Sequence, residues 1–491
     1  MSRPPAADHA PGLERAFSGS PTETAYRISK IEGEVPAFVR GSYYVNGPAR
    51  FERGAVRYRH WLDGDGMVCA LHFGDDGVDF ACRFVRSAKA TAEDEAGTAL
   101  FRTFGTAFDG DRLQHGIGLA SPVNVSVYPF AGRLLAFGEQ GLPLALDPLT
   151  LETQGEHTFG RRLNTVSPFA AHPAFDPESG EMFNFGVSFS ARQPCLHLYR
   201  FAADGELLYR RRLSLDAPCS VHDFGLSEHH AIFHLGPYVL DMERLASPAS
   251  TLMDSLEWQP DRGTRLVIAD RETGELTAEV QLDAHYCLHL INAWEEGSAL
   301  HVEILELERP VYDQYWLPDL FTDVRHAQPV RYTIDLPSGR LVQRHGMDEH
   351  LMVDFPAIDP RRAGRSYPWF WVLGISATEQ PGRKFFDRVL RGDWRSGGYA
   401  DVYQAETGRL LGGEPVFIPD LSLAPEAGRG VVVCQEHDPA AGRSAFLVLD
   451  AFDLASGPVA RLPLENPIHL GFHTTFHPTE VHPAEVHPDR S

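Results

Sequence analysis

Glu272-Thr-Gly-Glu-Leu276 and Pro337-Ser-Gly-Arg-Leu341 are the stretches whose reading decides the fold. Each sets a glycine where a tight turn needs positive φ, and a leucine where the next strand begins. The same signal occurs at Asp204-Gly-Glu-Leu207 and Glu406-Thr-Gly-Arg-Leu410. Gly205, Gly274, Gly339 and Gly408 are spaced by about 69, 65 and 69 residues, and a period of this size signals repeated supersecondary units. Between the turns lie short alternating segments that read as strands: Arg133-Leu-Leu-Ala-Phe137, His197-Leu-Tyr-Arg-Phe201, Thr264-Arg-Leu-Val-Ile268 and Ser444-Ala-Phe-Leu-Val-Leu449. Long helical periodicity is scarce, so the fold class is all-β. A four-stranded propeller blade with one long loop fits the period, and about seven such units fill the chain. Loops between strands then gather on one face as a cap.

The chain has 491 residues, 43% of them apolar, which is enough for a large core. Its formal charge of −23, with no basic block, excludes a nucleic-acid partner, whose phosphates it would repel. No stretch approaches the roughly 20 apolar residues of a spanning helix. Met1 to Pro21 lacks a signal peptide's apolar core and reads as a disordered tail. The six cysteines form no C-x-x-C pair and read as buried, reduced residues of a cytoplasmic protein. Residues 22–476 then form one propeller domain. Residues 477–491, with the tandem Val481-His-Pro-Ala-Glu-Val-His-Pro488, form a His/Pro-rich tail.

Four of the 23 histidines lie at the edge of an apolar segment, where a strand meets a turn. His172 sits in Phe169-Ala-Ala-His-Pro-Ala-Phe-Asp-Pro177 and His222 in Pro218-Cys-Ser-Val-His-Asp-Phe-Gly225. His289 sits in Cys287-Leu-His-Leu-Ile-Asn-Ala-Trp-Glu295 and His473 in Pro467-Ile-His-Leu-Gly-Phe-His-Thr474. The inner strand of every propeller blade lines one axis, so residues far apart in sequence can meet there. Neutral imidazoles suit iron, zinc or copper and do not choose among them.

From about Ile31 to Phe476 the chain resembles the carotenoid cleavage oxygenases, the retinal pigment epithelial membrane protein family. The resemblance is carried by Gly41-Ser-Tyr-Tyr-Val-Asn-Gly-Pro48, His60-Trp-Leu-Asp-Gly-Asp-Gly-Met67, His289-Leu-Ile-Asn-Ala-Trp-Glu-Glu296 and Gly471-Phe-His473. It implies a seven-bladed propeller, a cap over the metal-bearing face, and one iron(II) per subunit held by His172, His222, His289 and His473. His477 is set aside because the Gly-Phe-His context favours His473. His229, His230 and His285 fall outside the matching positions.

Metal-bound histidine usually gives its other N–H to a carboxylate, and anions also offset the ferrous charge. By resemblance Glu139, in Leu134-Leu-Ala-Phe-Gly-Glu139, supports His222. Glu414, in Gly412-Gly-Glu-Pro-Val-Phe417, supports His473. The third position departs from the family's glutamate: Asp354 in Met352-Val-Asp-Phe-Pro356 is one methylene shorter. Asp354 can serve His289 only if the backbone sits closer or a water bridges the gap. A second departure is Val123 in Pro122-Val-Asn124, where many members carry threonine.

The implied activity is cleavage of a carotenoid or apocarotenoid double bond with O2 to two carbonyl products, with no catalytic side chain beyond the metal centre. Two alternatives share the fold. One is stilbene cleavage, against which Gly138 counts, because such relatives commonly carry lysine there. The other is a retinoid isomerase. A metal-free propeller serving as an interaction module is a third. Trp61, Phe169, Phe185, Phe224 and Trp294 are candidates for an aromatic tunnel wall. Phe101, Phe104 and Phe108 fall at helical spacing, and residues 238–256 add Val239, Leu240, Met242, Leu245, Leu252 and Met253. These apolar residues read either as a peripheral membrane contact or as packing within the cap.

Overall fold

A computed structural model describes residues 8–113, 119–190, 192–247 and 250–479. Seven antiparallel sheets of four or five strands form the blades of a propeller. The inner strands of blades two to seven are Ser126–Phe130, Ala174–Phe175, Gly225–Leu226, Tyr286–Glu296, Met352–Ala357 and Leu410–Pro419. The first blade takes its inner strand, Thr474–Pro478, from the other end of the chain, paired with Gly41–Arg50. Glu32–Gly33 in turn joins the outer edge of the seventh blade beside Pro458–Pro463. Both ends thus cross the seam, which leaves no open edge at the point of closure.

The four strands read from sequence lie within Arg133–Phe137, Cys195–Phe201, Thr264–Asp270 and Arg443–Asp450. Gly205, Gly274, Gly339 and Gly408 all have positive φ. The first three turn the third strand of a blade into its fourth, so their spacings are true blade periods. Gly408 is different. It joins the outer strand Gly398–Gln404 of the sixth blade to the inner strand of the seventh, and is no hairpin turn. The equivalent turn of the sixth blade holds Gly397, at φ 74°.

Three other expectations meet a different arrangement. Within residues 1–21, taken as a tail, Leu13–Phe17 forms a 3-10 turn with Leu13, Ala16 and Phe17 buried. Phe17 packs 5.9 Å from each of Phe51, Trp61 and Phe385, and Arg383 binds both Asp8 and Glu14. Three apolar side chains on one short turn are enough to dock it. The propeller also runs on to Pro478; residues 1–7 and 480–491, with the tandem histidines, lie outside the described residues. Phe101, Phe104 and Phe108 form no helix: the chain there is irregular, bound by an isolated bridge between Phe101 and Arg112. Arg102 takes the place of helical bonding by reaching Asp111 and the carbonyls of Ser247 and Ser250.

Residues 98–113, 238–247, 250–258 and 308–327 build the cap, with Met253 N donating to Phe104 O and Phe104 packed 5.3 Å from Tyr312. His60-Trp-Leu-Asp fastens it to the propeller: His60 Nε2 donates to Tyr312 O at 2.9 Å, and Asp63 accepts from Gly105 N and Thr106 Oγ1. Leu240, Leu245 and Leu252 are buried in a small cluster of the cap, flanked by Phe104 and Leu256. No described helix is long and apolar enough to cross a membrane. All six cysteines are buried and unpaired.

Candidate metal centre

His172 and His222 each stand just before a two-residue inner strand. Pro173 has no N–H to give a ladder, so the strand after His172 starts only at Ala174. His289 lies inside Tyr286–Glu296, where the pairing register slips between Cys287 and Leu290. His473 immediately precedes Thr474–Pro478. These are four of the seven inner strands, so the four imidazoles meet on the axis. Their candidate ligand atoms all lie within 4.8 Å of one another, and His172 Nε2 is 3.0 Å from His222 Nε2. All four side chains are buried.

Asp354 and Glu414 come from inner strands of the adjoining blades, and Glu139 follows the strand Arg133–Phe137 of the second blade. Both oxygens of Glu139 approach His222 Nδ1, at 3.0 and 2.9 Å. Asp354 Oδ1 is 2.6 Å from His289 Nδ1, so the shorter acid reaches its histidine directly. The inner strand bulges between Asp354 and Ala357, with Phe355 at φ 59°, where it presents this carboxylate to the ring. Glu414, also on a bulge, stands 3.5 Å from His473 Nδ1 and accepts from Thr474 N at 3.1 Å. Among the described residues no carboxylate pairs with His172.

A carboxylate accepts only, so His222 and His289 carry their proton on Nδ1 and keep a lone pair on Nε2. His289 Nε2 is buried with no hydrogen-bond partner. Burial, reinforced by the other three rings, holds His172 well below the usual imidazole range. Burial also pushes His473 down to about 4, against the pull of Glu414. Burial acts on His289 in the same direction, but Asp354 outweighs it and raises that pKa. Four buried imidazole nitrogens that converge within 4.8 Å of one another fit a metal cation.

The histidines set aside lie elsewhere. His477 is exposed, His230 pairs with Glu295, and His285 faces Glu306. A cavity of about 510 Å³ opens beside Glu139, within the usual size range of small-molecule sites. Leu62, Phe104, Val123, Phe169, Phe185 and Tyr312 line it. Of the proposed tunnel aromatics, only Phe169 and Phe185 are therefore on its wall. Trp61 packs 4.6 Å from Phe472, Phe224 lines a second cavity of about 200 Å³, and Trp294 stacks on His301. Leu62, Leu256, Tyr312 and Ser121 escaped the sequence reading, because wall residues from separate loops share no spacing, and Leu252 was read only as an apolar cap or membrane-contact residue. Leu62 alone had a cue, its place in the His60 segment.

The profile described as Retinal pigment epithelial membrane protein matches residues 17–478. Isoeugenol monooxygenase of Pseudomonas putida is 30% identical over 90% of this chain and 93% of its own. Apocarotenoid-15,15'-oxygenase of Synechocystis is 27% identical over 95% and 96%. The crystal structure of cobalt-substituted Synechocystis ACO superimposes with a TM-score of 0.86 at 26% identity, over 96% of this chain and all of that one.

Proposed function

The chain belongs to the retinal pigment epithelial membrane protein family and is an oxidoreductase of the oxygenase class, and from that premise we propose a non-haem iron(II) dioxygenase cleaving a double bond of a carotenoid or apocarotenoid. The observation that carries the proposal is the buried convergence of His172, His222, His289 and His473, with three rings facing Glu139, Asp354 and Glu414. These four imidazoles would hold the metal, and the three acids would fix ring orientation and offset its charge. Iron(II) bound there supplies the redox chemistry through which O2 reacts with an alkene.

The residues of the chain bind and orient. Leu62, Phe104, Phe169 and Phe185 hold an apolar chain beside Glu139 and exclude water, so that one double bond is presented to the centre. The reaction balances without side-chain chemistry: R–CH=CH–R′ and O2 give R–CHO and OHC–R′. No external electrons or protons are needed, and both oxygen atoms end in product.

A second reading, cleavage of a phenolic alkene, is favoured by the likeness to isoeugenol monooxygenase. Gly138 speaks against it, since a Cβ there would collide with Ser121 Oγ and leaves no place for a phenol-binding lysine. Anaerobic iron loading followed by incubation with a long apocarotenal under 18O2 separates the readings. Two carbonyl fragments, each with one labelled oxygen, are expected, and their masses name the bond. Intact apocarotenal beside cleaved isoeugenol would transfer the assignment to phenolic alkenes. Failure to take up iron would remove the four-histidine assignment.

A further inference from the structure

Residues 121–124 form a wedge pressed into the cavity wall. Val123 has φ 53°, a left-handed conformation that a β-branched residue adopts only under constraint. The constraint is visible on every side. Gly66 N donates to Pro122 O, Asn46 Nδ2 donates to Val123 O at 3.1 Å, and Asn124 Nδ2 donates to the carbonyls of Leu62 and Gly64. Two glycines make room for it. A Cβ on Gly66 would collide with Val123 O. A Cβ on Gly138 would collide with Ser121 Oγ and lie 3.1 Å from Val123 Cα. Gly138 itself is not among the residues with positive φ, so its backbone would accept a side chain. What forbids one is the Ser121 hydroxyl in that space.

Ser121 Oγ accepts from Val123 N at 3.3 Å, and among the described residues its own proton has no acceptor. It lines the cavity together with Glu139, Leu62, Phe104 and Val123, next to the position of Gly138. A hydroxyl whose proton has no acceptor among the described residues recruits an oxygen acceptor from the ligand. The nearby Glu139 carboxylate disfavours an anion, so the acceptor is neutral.

We infer that Ser121 is a specificity-determining residue that donates its hydroxyl proton to a neutral oxygen on the substrate, an aldehyde carbonyl or an alcohol, close to the bond that is cleaved. The inference rests on reading the site as an alkene-cleaving centre, and it adds that the substrate is an oxygenated polyene rather than a hydrocarbon.

The test uses iron-loaded protein without oxygen and three probes of one chain length: an apocarotenal, the corresponding apocarotenol and a hydrocarbon polyene. Wild type is expected to bind one oxygenated probe about tenfold more tightly than the hydrocarbon, the worth of one well-placed hydrogen bond. Which probe gains identifies carbonyl or alcohol, and a red-shifted visible band marks a hydrogen-bonded carbonyl. Ser121→Ala removes the preference and leaves hydrocarbon binding within about twofold of wild type. The double variant Ser121→Gly with Gly138→Ser moves the hydroxyl across the same space and restores part of the preference. Equal loss for all three probes in Ser121→Ala, or equal binding of all three by wild type, overturns the role of Ser121 alone. Wild type that binds no polyene overturns the reading of the site as well.

Discussion

His172 in the third blade and His289 in the fifth point at one centre, yet the ground behind them differs. Asp354 reaches His289 Nδ1 at 2.6 Å from a bulged strand of the next blade. Among the described residues His172 has no carboxylate behind it, and it is bordered by His222, His289 and His473. The electrostatic result is opposite: Asp354 raises the pKa of one ring, while burial and neighbouring rings depress the other. Position on the propeller axis therefore makes an imidazole available to a metal, and the adjoining blade decides how firmly its tautomer is fixed.

The sharpest way to break this comparison is to remove each ring. His172→Ala and His289→Ala are both expected to lose iron, with activity down by more than about 100-fold, beyond the range for losing an outer partner. Metal analysis of the purified variants checks this, and full iron content in His172→Ala would show that the unsupported ring is no ligand.

The next effect concerns the support alone. Asp354→Asn should cost about 10- to 100-fold in iron affinity while His289 stays in place. Asp354→Glu should lose affinity as well, because the aspartate already reaches His289 Nδ1 at 2.6 Å and a longer side chain does not fit that contact. Chelator competition reads both. Glu414→Gln, with its contact to His473 at 3.5 Å, should lose less, under about tenfold by the same measurement.

A gentler effect lies away from the centre. Burial pushes His234, His437 and His469 each down to about 4, below the value of about 6.5 in an unfolded chain. Between those values the unfolded chain binds more protons. Stability is therefore full above pH 6.5 and declines as pH falls towards 4. Thermal melts of iron-free protein across that window should show Tm dropping on acidification. A flat profile would place compensating acid pairs around these rings. The smallest effect is that of His477→Ala, an exposed residue, which should leave iron content unchanged.

Much of this was legible in the chain because turn glycines and strand alternation are local. Gly205, Gly274 and Gly339 mark equivalent turns of successive blades, and their spacing is the blade repeat. Gly408 shows the limit. Its Glu-Thr-Gly-Arg-Leu context matches the others, yet the turn joins two blades. A positive φ specifies a reversal of the chain and says nothing of which strands pair after it. Phe101, Phe104 and Phe108 show the same limit, since their spacing is helical but Arg102 and the cap loops set the backbone. The Leu13–Phe17 turn was hidden because a short apolar cluster has no period to detect.

By itself the sequence determined an all-β repeat, a formal charge of −23 without a basic block, and which histidines and acids sit in motif contexts. Those properties are written in residue type and near-neighbour spacing. Tertiary structure alone decided that His172, His222, His289 and His473 converge, that Asp354 needs no bridging water, and that Ser121 fills the space beside Gly138. Each of these depends on separations of a few ångströms between residues far apart along the chain. Such distances are set by the closure of seven blades around one axis, which no local pattern encodes.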